Sequence, residues 1–188
     1  MKQRMAGVKV AQSVIRSPET FYAGLEPSGS YRFPLIYAAA SALIGGIVFG
    51  GLSLVFEVEL LTDTLRSLPA RILVFAALGY LAFLSHALGT HVAAAVFGAH
   101  GFHKTVEAMA YPTVLLLTFA WIPAINLVVG LYGLSLQVQG LRKLHRMNGS
   151  LARKSVVLGL VFGVVFLLAF IAIIGALAVL ILPPGSLS

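Results

Sequence analysis

The sequence predicts an all-α integral membrane protein, and three observations carry that prediction. Residues 156–182 form one apolar run without a charged, hydroxyl, amide or imidazole side chain, longer than the roughly 20 apolar residues needed to cross a bilayer. The 188-residue chain is 59% hydrophobic and only 10% charged, with a mean hydropathy of +0.98, more than a soluble core of this size can hide. Apolar blocks also recur down nearly the whole chain. In hydrocarbon each backbone polar group must be paired internally, and each ionisable side chain needs a partner or a task.

Taken in order, residues 1–32 read as a cytoplasmic segment. They carry Lys2, Arg4, Lys9, Arg16 and Arg32 but no apolar stretch with a cleavage site, so no signal peptide is expected ahead of the first span. Within them Ser17-Pro18-Glu19-Thr20 supplies an N-cap residue, a proline for the first helical position and an acid for the first turn. Phe21, Tyr22 and Leu25 follow on one side. The expected outcome is a short interfacial helix with its aromatics at headgroup level, or a capped helix packed on the bundle.

Residues 33–182 then read as a membrane domain of five spans, at 33–56, 72–97, 105–122, 124–141 and 156–182, followed by a short tail at 183–188. Loops are expected at 57–71, 98–104 and 142–155. The third and fourth spans are separated by a hairpin near Pro123, because a single helix over 113–141 would carry that proline at its centre. Charge supports the count independently. With five spans and the N-terminus inside, all of the 13 Lys and Arg residues fall on the cytoplasmic side except Arg66 and Arg71, as the bias of inner loops requires. The C-terminus is then outside, and the net charge of +7 belongs to one face. Arg142, Lys143, His145, Arg146, Arg153 and Lys154 form the centre of that face, suited to anionic lipid headgroups or a partner protein. Nucleic acid is not an expected partner.

Several polar residues lie inside the spans and form the candidate intramembrane site: His86, His91, Glu107, Asn126 and Gln137. His86 and His91 stand about 140° apart on an ideal helix, so each is expected to face a different neighbour rather than share a metal. Glu107 enters the third span three residues after Lys104, the spacing of an interfacial ion pair. Asn126, Gly130, Gly133, Gln137 and Gly140 recur at helical spacing as a small stripe with an amide near each end. Two further stripes, Ala38-Ala42-Gly46-Gly50 and Gly159-x-x-x-Gly163, permit close helix contacts within one chain or between copies, so a homo-oligomer is one expected outcome. Glu57, Glu59 and Asp63 face Arg66 and Arg71 in a solvated outer loop. The last span, wholly apolar, is not expected to line an aqueous path.

No zinc-protease motif, intramembrane aspartate pair, phosphate-binding glycine loop or recognisable nucleophile is present. The chain has no cysteine, which removes disulfides and thiolate metal sites together. Neither an enzyme nor a bound cofactor or metal is expected.

The order Ser17-Pro18-Glu19-Thr20-Phe21-Tyr22, Arg32-Phe33-Pro34-Leu35, His91, Gly98, Phe102-His103-Lys104-Thr105, Tyr111-Pro112, Ile122-Pro123 and Gly140-Leu141 with His145 resembles the Yip1 domain family. The resemblance covers roughly residues 14–182. It implies five membrane helices behind a cytoplasmic N-terminus and a non-enzymatic role in organising membranes or partner proteins. Eukaryotic members bind Rab-class GTPases through long acidic cytosolic tails. This chain has no such tail, which brings it nearer to bacterial and archaeal members and to a prokaryotic cytoplasmic membrane. The alternative expectation is a small transporter or channel for a cation, metal or small solute, routed through spans two to four.

Overall fold

The computed structural model describes residues 7–25, 29–55, 67–119, 122 and 125–181. Those residues form eight helices and no strand: α1 (Gly7–Arg16), α2 (Pro18–Ala23), α3 (Arg32–Val55), α4 (Leu68–Val96), α5 (Phe102–Ala110), α6 (Thr113–Phe119), α7 (Asn126–Leu144) and α8 (Gly149–Ile181). Three of them, α3, α4 and α8, are long and apolar enough to cross a membrane. The predicted hairpin residue Pro123, and Glu57, Glu59, Asp63 and Arg66 of the outer loop, lie outside the described residues.

Local chemistry sets the helix ends. Ser67 caps α4 by accepting from the Ala70 N–H at 3.4 Å, with Pro69 in the first turn where its missing donor costs nothing. At its other end Gly98 adopts φ +85°, and the Gly98 and Ala99 N–H groups donate back to Ala95 and Ala94. These are the two bonds of a Schellman cap. Gly101, at φ +90°, follows three residues later and starts α5. Two left-handed glycines thus reverse the chain within a few residues.

The third apolar stretch departs from expectation. It begins at Phe102 rather than 105 and breaks into α5 and α6 at Tyr111-Pro112. Proline cannot donate to the helix ladder and its ring obstructs the preceding turn, so the Leu115 and Leu116 N–H groups restart the ladder on the Pro112 carbonyl. The expected loop at 142–155 is also mostly helical. Helix α7 runs on to Leu144 and α8 begins at Gly149, leaving only 145–148 between them. Arg, Leu, Ala and Lys are good helix formers, and the Asn148 side chain caps α8 by accepting from the Ser150 N–H at 2.9 Å. Hydropathy locates the apolar part of a helix, not its ends.

Glycine contacts give the packing and the directions of the long helices. A Cβ on Gly46 would meet the Ile72 carbonyl and Ala76, and one on Gly50 would meet Ile72 and Leu68. The C-terminal half of α3 therefore packs antiparallel on the start of α4. Gly89 faces the backbone of Gly159 and Gly163, Gly159 faces Thr90, and Gly163 faces the His86 backbone, which sets α8 antiparallel to α4 in register. Gly45 abuts the Leu117 carbonyl of α6, Gly133 abuts Leu116, and Gly140 abuts Ala108 of α5 and Tyr22 of α2. Both four-residue small stripes are thus used inside the chain. Large apolar side chains such as Val161, Leu168, Ile171 and Ile174 cover the outward face of α8.

The N-terminal segment is packed on the bundle. Tyr22 is almost fully buried and donates to the Ala108 carbonyl at 3.3 Å. Burial, reinforced by Tyr111 and Tyr37, holds its hydroxyl well above the ordinary tyrosine range, so it remains a donor. Phe21 meets Tyr111 edge-on with ring centroids 5.1 Å apart, and Tyr37 meets Tyr111 at 5.6 Å. A further helix, α1, precedes Ser17, where the sequence offers no cap or apolar run to announce one. In α1, Val10 and Val14 are buried while Val8, Lys9 and Arg16 are exposed. The Tyr132 hydroxyl donates to the Ile15 carbonyl at 2.6 Å, which ties this helix to the flank of α7.

Candidate functional site

The five predicted intramembrane residues do not form one site. Asn126 is the first residue of α7 and is exposed. Glu107 is fully buried in α5, within electrostatic reach of Tyr111 one turn on. His91 and His86 face different neighbours, as their angular separation requires, and each belongs to a separate cluster.

The first cluster is a chain of three side chains from three helices. His91 Nδ1 of α4 lies 3.0 Å from Thr105 Oγ1 of α5, and the same hydroxyl lies 3.0 Å from His145 Nε2 at the end of α7. A hydroxyl has one proton to donate and two lone pairs, so Thr105 donates to one imidazole and accepts from the other when both rings are neutral. The double-glycine turn makes this arrangement: it brings α5 back along α4 and stacks Phe102 beside His91, with ring centroids 5.0 Å apart. Burial first, and then Lys104, His91 and His103, push the His145 pKa down to about 4, against an opposing bond to the His100 backbone. His145 is consequently a neutral, half-buried strut under the basic face rather than one of its cations. Among the described residues no group of three His, Asp or Glu side chains is arranged to hold a metal.

Around that strut stand Arg142, Lys143, Arg146, Arg153 and Lys154, all exposed. Arg142 and Lys143 occupy the last turn of α7, where cations complement the carbonyl end of the helix. Arg142 folds across the turn against Gly149. Arg146 holds a left-handed backbone at φ +55°, which ends α7 and redirects the chain into α8. Arg71, placed by sequence in a solvated outer loop, is instead buried within α4 and donates to Ser53 Oγ of α3 at 3.0 Å.

The second cluster lines a cavity of about 240 Å³ among α4, α6, α7 and α8. His86, Gln137 and Thr113 bring polar atoms to it, and the rest of the wall is apolar, including Phe83, Leu116 and Leu167. Gln137 is 1% exposed, and its Oε1, like His86 Nε2, has no hydrogen-bond partner. Helix α8 supplies Leu160, Gly163 and Val164 to the same wall, so its apolar part borders the cavity that His86 and Gln137 also line. Sequence spacing could not pair His86 with Gln137, since they sit on helices that are not adjacent in the chain.

Fold and site together define an all-helical protein with helices fit to cross a membrane more than once. Comparison with family models, with curated proteins and with solved structures finds no match to this chain.

Proposed function

We propose that this chain is a five-pass integral membrane protein of the Yip1 type, with its N-terminus cytoplasmic and its C-terminus outside, that gathers anionic lipid and partner proteins at its basic inner end without catalysing a reaction. The observation that carries the reading is the concentration of Arg142, Lys143, Arg146, Arg153 and Lys154, all exposed, about the α7–α8 turn. Each basic residue close to an anionic surface contributes about 1 kcal/mol. Helix lengths support five crossings. At about 1.5 Å per residue, the stretch from Phe102 to Phe119 and the length of α7 each rise close to the roughly 30 Å of the hydrocarbon core. Seven of the residues that carry the family resemblance fall into two contact sets: Phe21, Tyr22, Tyr111 and Gly140 in one, and His91, Thr105 and His145 in the other. A prokaryotic cytoplasmic membrane is the setting this reading implies.

Transport draws less support, because among the described residues its five candidates do not share one cavity: His86 and Gln137 line the same space, while Asn126 is exposed at the start of α7 and His91 bonds to Thr105. Self-association loses its sequence argument, since the glycine stripes are occupied by intrachain neighbours. The test is native mass spectrometry of the protein released from nanodiscs of mixed phosphatidylglycerol and phosphatidylcholine. Selective retention of phosphatidylglycerol, lost when the five basic residues are changed to Gln, is the expected result. Retention without headgroup preference would overturn the reading.

A further inference from the structure

We propose that the cavity between α4, α6, α7 and α8 is a binding site for a small membrane-soluble molecule that presents a hydroxyl to His86 and Gln137, of the alkylphenol or hydroquinone class. Two polar atoms, His86 Nε2 and Gln137 Oε1, have no hydrogen-bond partner, and both side chains line the same space. A buried amide oxygen without a donor has lost its water and gained nothing in return, and neither the apolar wall nor a lipid acyl chain can supply the missing proton. The occupant must therefore bring a donor. A hydroxyl fits both atoms, because its one proton goes to Gln137 Oε1 while its lone pairs accept from His86 in the neutral tautomer that carries the ring proton on Nε2. Thr113 cannot supply that donor, since its own hydroxyl proton is given to the Ala110 carbonyl within the α5–α6 break.

The rest of the occupant must be apolar and small. The wall is formed by Phe83, Leu116, Leu117 and Leu167, and the volume of about 240 Å³ lies below the roughly 300–1,000 Å³ typical of drug-sized sites. One ring with a short chain fills such a space. Leu160 and Val164 belong to the wall and are also exposed on the outward face of α8, so the opening is lateral and faces lipid. The glycine seam borders the space: with only hydrogen at 163, the α8 backbone lies against His86, and Gly163 itself is part of the wall.

The experiment follows the ring nitrogens of His86 by NMR in protein labelled with 15N-histidine, held in nanodiscs and titrated with para-pentylphenol or with its methyl ether, para-pentylanisole. The resonance is assigned by its loss in His86→Asn. Wild type should show a saturable shift with the phenol and at least about tenfold weaker half-saturation with the ether, which cannot donate. Gln137→Leu should bring the two ligands close to equal. Ala82→Phe, which fills the wall and leaves both polar groups in place, should abolish saturation. Equal half-saturation by phenol and ether in wild type, or a shift that never saturates, would mean that lipid or water alone occupies the cavity and would overturn the proposal; this comparison needs no variant to fold.

Discussion

The α4–α8 seam gives the sharpest energetic prediction, through Gly89→Ala. A Cβ built on Gly89 falls 2.6 Å from both the Gly159 carbonyl oxygen and the Gly163 nitrogen. Both are backbone atoms of a regular helix, so no rotamer change can clear them, and the helices must separate or tilt. Overpacking of this kind costs typically about 1–3 kcal/mol, whereas alanine in place of glycine gains about 1 kcal/mol of helix propensity. In lipid the contact has no hydrophobic term to fall back on, because close packing and dispersion hold membrane helices together. The net expectation is a loss of up to about 2 kcal/mol, against the gain expected where no contact is made. Gly175→Ala, in α8 and with no atom within 4 Å of the place its methyl group would take, isolates the propensity term and should be neutral or stabilising by up to about 1 kcal/mol. The assay is reversible unfolding in mixed micelles, followed by far-ultraviolet circular dichroism. Equal stabilities for the two variants would refute the seam. A variant of Gly89 that remained stable while an oligomer dissociated would assign the stripe to contacts between chains.

Three further outcomes follow from the same structure. His145 is held neutral with its pKa pushed down to about 4, so between pH 6.5 and 4 the unfolded chain takes up a proton that the folded ring resists, and stability present above pH 6.5 is lost as pH falls. At about 1.4 kcal/mol per unit this would exceed 3 kcal/mol, but solvent screening of a partly exposed ring reduces it to about 1–2 kcal/mol; thermal melts of wild type and His145→Gln at pH 7 and 4.5 should show the larger drop in wild type, and parallel drops would refute the assignment. Gly98→Ala places a side chain at φ +85° and should cost about 1–2 kcal/mol, measured by the same unfolding assay, whereas no loss would mean that the turn can rearrange. Asn148→Ala removes the cap of α8 and should cost about 1 kcal/mol, seen as a lowered melting temperature.

The apolar blocks of this chain were legible because hydrocarbon imposes a length and a composition, and the described residues are helical in each of them, the third as two helices. The ends of those helices were less legible. Asn148 and the helix-forming run through Lys154 carry α8 beyond its apolar part, and the double-glycine turn starts α5 at Phe102. The Tyr111-Pro112 break was visible as a residue pair, but its effect depends on neighbours that cover the interrupted ladder. Helix α1 carries only two buried valines, Val10 and Val14, too few to register as apolar periodicity beside the membrane helices. Candidate site residues were chosen one by one for being polar in an apolar context, which identifies them but not their partners. His91 pairs with Thr105 and His145, and His86 shares a cavity with Gln137. Both groupings join helices separated in sequence and depend on the register of glycine contacts that only the folded chain displays. The glycine stripes were equally visible, and their neighbours within the chain were not.

The absence of cysteine from the chain gives a clean background for the measurement that bears most directly on the proposed five-pass arrangement with a basic inner end. Single cysteines at Ser67, His100, Asn126 and Ser150 would be labelled in sealed, oriented vesicles with a membrane-impermeant maleimide. The account predicts that Ser67 and Asn126 label from outside and His100 and Ser150 only after the vesicles are opened. Labelling of Asn126 and Ser150 from the same side would show that α7 does not cross, and labelling of Ser150 from outside would place the basic end on the wrong face.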